Sequence, residues 1–270
     1  MHPHATGAID RFMYIPDTAP PEDPKAQRAA DRRRWLRAFN LSLLSVLVLL
    51  VVFWLQARMD LRGWAVQPWS PEGLRGLLGA PLLHGSFEHL AANATALLML
   101  GTLAAGLYPR ATARTLPLAW LGSGLGAWFL GEAGSFHLGA SGVTHGLMFL
   151  VFFLGLLRRD RAAVAAAMIA FFLFGGMLMT VLPREAGVSW QAHLGGAVGG
   201  LLGAMLWRRA DPEAARRRYS WEIEEEELAA AEARAREDGL EPSPPEDVPV
   251  IWERPPEERG TVLPFRRRDE

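Results

Sequence analysis

Six long apolar runs follow one another along this chain, separated by shorter polar segments. They occupy residues 40–57, 88–107, 115–131, 141–157, 162–182 and 190–207. A transmembrane helix needs about 20 mainly apolar residues, so each run is long enough, or nearly so, to cross a bilayer. Apart from Glu88 at the start of the second run, none of them carries an Asp, Glu, Lys or Arg, and Arg110 lies just after that run. The pattern predicts an all-α membrane protein with six transmembrane helices.

A soluble helical bundle is the main alternative explanation of these runs. Helices on the surface of a soluble protein carry polar side chains on the face that is turned to water. The six runs are apolar on all sides and leave no such face. The hydrophobic pattern therefore favours insertion in a lipid bilayer over a soluble fold.

The two ends of the chain differ from the apolar middle. Residues 1–39 and 208–270 are rich in Pro, Arg, Asp and Glu and lack the apolar content needed for a core of their own. We expect an N-terminal tail over 1–39 and a six-span core over 40–207. The C-terminal part, 208–270, is expected to hold a charged helix followed by a Pro-rich tail.

Arginines mark one side of the predicted spans. They precede the first run and follow the second, fourth and sixth, whereas the connections 131–139 and 183–189 hold only Arg184. Because cytoplasmic loops carry an excess of Lys and Arg, both termini are expected to be cytoplasmic. The connection 58–83 is a mild exception with three arginines, and its Trp and Pro residues suggest a segment that lies in the membrane interface. The second, fourth and sixth helices then begin at the outer face.

Composition narrows the possible functions further. The formal net charge is −1 and there is no cysteine, so disulfides and thiolate metal sites are excluded. The basic residues cluster beside the predicted spans and do not form one interaction stripe. We therefore do not expect a nucleic-acid partner, and we expect the chain to interact with the lipid bilayer.

Three short motifs carry the candidate chemistry, and each stands where an apolar run begins. They are Gly139-Ala140-Ser141-Gly142, the stretch from His84 through His89 to Asn93, and the stretch from Ala192 and His193 through Gly196 to Gly200. At a rise of about 1.5 Å per residue, His89, Ser141 and His193 share a shallow depth below the outer surface. Together the motifs offer a nucleophile, a base and hydrogen-bond donors for an oxyanion.

These motifs, in this order and on these spans, resemble those of the rhomboid family of intramembrane serine proteases over residues 40–207. The resemblance implies a six-helix bundle in which Ser141 is the nucleophile and His193 the general base, without an acidic third member. The implied oxyanion donors are His89, Asn93 and the backbone N–H groups of Ser141 and Ala140. His84 would support the site, and Gly196 and Gly200 would let the sixth helix approach the fourth closely.

The resemblance also implies partners and a location. The expected substrates are single-span membrane proteins, cut near their outer end. The expected location is a bacterial inner membrane, and we expect neither a metal nor a cofactor.

Two positions depart from the family's pattern. The family usually has a tyrosine four residues after the nucleophile, where this chain has His145. At that spacing His145 shares a helix face with Ser141 and is a rival base. In the first outer loop, Leu74-Arg75 stands where the family has a Trp-Arg pair, which leaves the packing of that loop open.

Other classes of function fit the residues less well. His84, His89, His145 and His193 could form a metal site, but the zinc-protease pattern His-Glu-x-x-His is absent. The spans contain no Asp, which disfavours an aspartyl protease and a proton-coupled transporter. His137 is expected to be a solvated loop residue. A catalytically silent relative that binds membrane clients remains the alternative.

Overall fold

The computed structural model describes residues 24–184, 187–212 and 220–237. Within these ranges the chain forms seven long helices: α1 (Pro24–Gln56), α2 (Phe87–Leu107), α3 (Pro109–Leu130), α4 (Ser141–Arg158), α5 (Arg161–Phe174), α6 (Trp190–Trp207) and α7 (Ser220–Glu237). The one strand-like pairing there is an isolated antiparallel bridge between Val66 and His137. The predicted all-α class is confirmed.

Three helix boundaries differ from the predicted ones. Helix α1 begins at Pro24 and not at 40, because the Ala- and Arg-rich sequence that follows favours helix. Helix α3 begins at Pro109, since proline suits the first turn of a helix. Helix α5 ends at Phe174 and not at 182, because Gly175 and Gly176 have low helix propensity and begin a 3₁₀ turn, Gly175–Leu178.

Four helices in the described part of the chain are long and apolar enough to cross a membrane. They are Lys25–Gln56, Phe87–Leu107, Ser141–Arg158 and Arg161–Leu178. Helices α1 and α5 also expose large apolar side chains, among them Leu41, Leu44, Val51, Trp54, Phe172 and Leu173. Such a surface suits contact with lipid. The chain is therefore a multi-pass membrane protein.

One face of α6 packs tightly on α4. A Cβ added at Gly196 would collide with the carbonyl oxygen of Gly142, and one added at Gly200 would collide with that of Gly146. With only hydrogen at these four positions, the two backbones can approach closely. This contact brings the start of α6 beside the start of α4.

A second glycine face of α6 packs on α3. A Cβ added at Gly195 would collide with the carbonyl oxygen of Gly122, and one added at Gly199 would lie 2.5 Å from that of Leu118. Gly195, Gly199 and Gly203 thus lie against α3 and not against α4, because successive glycines on a helix point in different directions.

Gly196→Ala is expected to lower the stability of the bundle by about 1–3 kcal/mol, the usual cost of overpacking. The added methyl group would force α6 away from Gly142. Thermal unfolding in detergent micelles measures the effect. Gly63→Ala is the matched control, since a Cβ there would meet nothing within 4 Å. Equal melting temperatures for the two variants would contradict the close contact.

Side chains also join the helices at the end of the bundle opposite Ser141. The carboxylate of Asp211 accepts hydrogen bonds from the backbone N–H groups of Arg110 and Ala111, each at 2.9 Å. These groups open α3 and have no partner within their own helix. Arg158, the last residue of α4, pairs with Asp160 at 3.0 Å and donates to the Asp211 carbonyl at 2.9 Å. The start of α3, the end of α4 and the segment after α6 are thus tied together.

The long connection 58–83 consists of short helical turns that are fixed to α3 by two indoles. The turns are Arg62–Trp64, Glu72–Arg75, Gly76–Gly79 and Ala80–Leu82. Trp69 Nε1 donates to the Gly131 carbonyl at 3.2 Å, and Trp128 Nε1 donates to the Ser70 carbonyl at 3.0 Å. Trp69 and Trp128 therefore anchor this loop, while Leu74 is 45% exposed.

Helix α7 forms a unit of its own. It contains the acidic run predicted to be helical, and most of its described side chains are exposed. The Pro-rich tail expected after it, and residues 1–23 of the predicted N-terminal tail, lie outside the described residues.

Candidate active site

Ser141 and His193 form a direct hydrogen bond. Ser141 is the first residue of α4, and His193 lies in the first turn of α6, where the Ser189 hydroxyl caps the helix. The distance from Ser141 Oγ to His193 Nε2 is 2.9 Å. A serine hydroxyl at this distance from an imidazole can transfer its proton to the ring.

The other ring nitrogen of His193 determines which tautomer is present. Nδ1 lies 3.0 Å from the backbone carbonyl oxygen of Thr180. A carbonyl can only accept, so Nδ1 carries the hydrogen and Nε2 is free to accept from Ser141. The group that orients the base is a main-chain carbonyl, where many serine proteases use a carboxylate.

His145 stacks on His193 and does not contact the serine hydroxyl. The two rings are nearly parallel, with centroids 3.9 Å apart and an interplanar angle of 16°. His145 Nδ1 donates to the Ser141 carbonyl at 2.6 Å, and Nε2 lies 2.9 Å from the Thr180 hydroxyl. Both ring nitrogens are thus occupied by other partners. This geometry favours His193 over His145 as the base.

The ring of His89 lies against Gly139 on the other side of the serine. Gly139 has φ +119°, a conformation that L side chains rarely adopt, and a Cβ there would lie 2.6 Å from His89 Cε1. Only glycine meets both conditions without strain. His89 is therefore brought beside the segment that leads directly into Ser141.

Asn93 and Ala140 have partners of their own in this structure. Asn93 is buried, and its Nδ2 donates one hydrogen bond to the His89 carbonyl at 3.0 Å. An amide nitrogen has two donors, so a second remains for another acceptor. The Ala140 N–H lies 3.5 Å from His84 Nε2. The oxyanion roles of Asn93 and Ala140 stay predictions from the resemblance.

His84 lies behind the site. It is 2% exposed, and Gln56 holds its backbone through bonds of 3.0 and 3.2 Å. Burial lowers the pKa of His84 to about 4, and the nearby His89 ring acts in the same direction. The neutral ring packs edge-on against His89, with centroids 5.1 Å apart. The supporting role of His84 stays a prediction from the resemblance.

A cavity of about 990 Å³ opens over the serine. Its polar lining includes His89, Asn93, Glu132, Ser141, Arg184 and His193. The segment 187–190 forms one wall. The cavity is large enough to admit several residues of an extended peptide together with water.

His137 has a structural role that sequence reasoning missed. Its two ring nitrogens form hydrogen bonds with Ser189 Oγ at 2.6 Å and with Ser135 Oγ at 2.9 Å. Its backbone pairs with that of Val66. Burial lowers the pKa of His137, and Glu132 acts in the opposite direction. His137 is half-buried, and beyond the solvated loop position expected from the sequence it ties three separate segments around the cavity. No local signal marks it, since Ser189 lies 52 positions away.

The four histidines considered as a metal site fall into two separate pairs, His84 with His89 and His145 with His193. In the part of the chain that the structure describes, no three His, Asp or Glu side chains form a group that could hold a metal ion.

Comparisons with known proteins identify the family of the chain. A family model described as the Rhomboid domain matches residues 71–210. An uncharacterized protein of Mycobacterium tuberculosis is 37% identical over 205 residues, which cover 70% of this chain and 82% of the relative. An uncharacterized protein of Mycobacterium leprae is 30% identical over 214 residues, which cover 76% and 84%. The motifs, the helical fold and the family match lead to one conclusion: this multi-pass membrane protein belongs to the rhomboid family, whose members are generally intramembrane serine proteases.

Proposed function

We propose that this protein is an active intramembrane serine endopeptidase that cleaves single-span membrane proteins near their outer end. One observation supports this above all. Ser141 Oγ lies 2.9 Å from His193 Nε2, while the Thr180 carbonyl holds the proton on Nδ1. A catalytically silent protein that only binds membrane clients would not need a base held in the reactive tautomer.

The proposed reaction proceeds through an acyl-enzyme. As Ser141 Oγ attacks the peptide carbonyl carbon, His193 Nε2 takes the hydroxyl proton. The resulting oxyanion is stabilised by the Ser141 N–H at the start of α4 and by donors from His89, Asn93 and Ala140. When the C–N bond breaks, Nε2 gives the proton to the leaving amine. Water from the cavity then attacks the ester carbonyl, and His193 Nε2 takes the proton of the water. When the ester bond breaks, Nε2 returns this proton to Ser141 Oγ.

We further propose that α1 to α6 all span the membrane and that both termini lie in the cytoplasm of a bacterial cell. The chain would then consist of an N-terminal tail over 1–39, a six-span core over 40–207 and a C-terminal part over 208–270. Helices α3 and α6 have 22 and 18 residues. At about 1.5 Å per residue they approach the thickness of a bilayer core. Their lower apolar content fits their position between other helices, where they face less lipid.

Reaction of the intact protein with a fluorophosphonate probe tests the proposal without knowledge of the substrate. The probe modifies a serine only if a neighbouring base activates it. We expect peptide mass spectrometry to place the adduct on Ser141 and to leave Ser135 and Ser189, which line the same cavity, unmodified. An unlabelled Ser141 in folded protein would favour the silent alternative.

Asn93→Ala is expected to slow turnover by roughly 10²-fold or less, because one oxyanion donor among several is removed. Ser141 should keep its reactivity toward the fluorophosphonate, since the bond to His193 is unchanged. Rates of reporter cleavage and of probe labelling, measured side by side, check the prediction. Loss of folded protein in this variant would instead assign Asn93 a structural role, consistent with its bond to the His89 carbonyl.

Substrates are expected to be selected by helix instability near the outer membrane face. A transmembrane helix hides its carbonyl groups in backbone hydrogen bonds, so the segment must unwind before Ser141 can attack. Gly or Pro placed just inside the membrane should enhance cleavage of a reporter, and Leu at small positions beside the cleaved bond should suppress it. Cleavage that ignores these changes and follows only a soluble-domain sequence would contradict lateral entry from the bilayer.

A further inference from the structure

Thr180 contacts both stacked histidines through different atoms. It lies in the segment between α5 and α6, two residues after the 3₁₀ turn Gly175–Leu178. Its main-chain carbonyl accepts from His193 Nδ1 at 3.0 Å, and its side-chain hydroxyl lies 2.9 Å from His145 Nε2. The motifs found in the sequence do not include this residue.

The hydrogen atoms in this cluster can be assigned from the partners. The Ser141 carbonyl can only accept, so His145 Nδ1 carries a hydrogen. In a neutral imidazole Nε2 is then an acceptor, and the Thr180 hydroxyl donates to it. The same hydroxyl also lies 3.1 Å from the Met177 carbonyl oxygen, which is a second acceptor. Thr180 is therefore a hydrogen-bond partner of the ring nitrogen of His145 that Ser141 does not occupy.

The position of His145 matters because its ring covers that of His193. With both nitrogens bonded, to Ser141 and to Thr180, the His145 ring cannot rotate freely. Its face lies 3.9 Å from the His193 ring and limits the rotation of that ring in turn. A base that can turn away from Ser141 Oγ loses the alignment that proton transfer requires.

We propose that Thr180 is a positioning residue for the base: its carbonyl orients His193 directly, and its hydroxyl orients His193 through His145. The proposal rests on the proposed function of Ser141 and His193. It makes the segment between α5 and α6 part of the catalytic apparatus, because one residue of that segment fixes both rings.

The test compares Thr180→Val with Thr180→Ser. Valine has nearly the shape of threonine but no hydroxyl, whereas serine keeps the same donor and acceptor. We expect Thr180→Val to lower kcat by about tenfold with KM unchanged, since misplacement of a catalytic group affects the chemical step. Thr180→Ser should stay within about threefold of the wild-type rate because the hydroxyl is retained. The rate of fluorophosphonate labelling of Ser141 should fall in parallel with kcat.

His145→Phe provides the second half of the test. Phenylalanine keeps a ring over His193 but has no nitrogen to bond with Thr180. We expect His145→Phe alone to reduce kcat to a similar degree, and Thr180→Val added to it to cause no further loss, as for two residues that act through one interaction. The single His145→Phe variant also tests the same bond if Thr180→Val does not fold.

The outcomes separate this proposal from the proposed function. If the wild-type protein shows no cleavage and no labelling at Ser141, both fail. If the wild type is active and Thr180→Val matches its kcat, only the role of Thr180 is wrong. Fully multiplicative losses in the double variant would also overturn it, because they would show that Thr180 acts by packing, independently of His145.

Discussion

Ser141→Ala is expected to abolish cleavage of a single-span reporter while the protein remains folded. Loss of the nucleophile in a serine protease lowers kcat by about 10⁶-fold. The activity that remains is below detection in most membrane assays. Folding should survive, because alanine is a good helix former and the first turn of α4 keeps its backbone bond from Thr144 to Ala140. Purified protein in detergent or liposomes, with the reporter analysed by gel and mass spectrometry, provides the measurement.

Ser135→Ala is the matched control for this variant. Ser135 lines the same cavity and bonds to His137, but it has no contact with His193. We expect it to retain cleavage at close to the wild-type rate. Reporter cleavage that persists in purified Ser141→Ala protein would exclude Ser141 as the nucleophile and, with it, the mechanism proposed above.

His193→Ala is expected to eliminate both reporter cleavage and fluorophosphonate labelling. Removal of the base leaves the Ser141 hydroxyl protonated and unreactive. In a soluble serine protease with a Ser-His-Asp triad, loss of the histidine costs about as much as loss of the serine itself. The distance of 2.9 Å from Nε2 to Oγ is the basis of this expectation. Labelling of wild type and variant at equal protein concentration gives a readout that does not depend on the substrate.

His145→Tyr separates the two candidate bases. Tyrosine is the residue that the family usually has here, its ring can stack on His193, and its hydroxyl can bond to Thr180. We therefore expect the variant to keep most of its activity. Activity that disappears in His145→Tyr and persists in His193→Ala would reverse the assignment of the base.

The positions of Ser141 and His193 could be predicted because hydropathy indicates correctly where their two apolar helices begin. The fourth and sixth runs were predicted to begin at residues 141 and 190, and α4 and α6 begin at Ser141 and Trp190. A residue at a helix start keeps that place whatever the rest of the bundle does. The sequence could therefore predict that Ser141 and His193 lie at the same level in the bundle.

Thr180 could not be found in this way. It lies in a run predicted to be helical to residue 182, whereas the helix ends at Phe174. The glycine pair that follows allows the chain to turn, and only then does a carbonyl come to face His193. Hydropathy is uniform across this segment and carries no information on such a turn. His137 was missed for a related reason, since its partners Val66 and Ser189 are distant in sequence.

The contact made by Asp211 has a consequence for the order in which the protein is assembled. The two backbone groups that it caps belong to residues 110 and 111, about a hundred positions earlier in the chain. During synthesis residues 110 and 111 leave the ribosome about a hundred residues before Asp211, so the first turn of α3 forms without this cap. Contacts of such long range form late in folding. The start of α3 is therefore capped only after α6 has been synthesised, and a nascent chain that stops short of Asp211 would lack this contact.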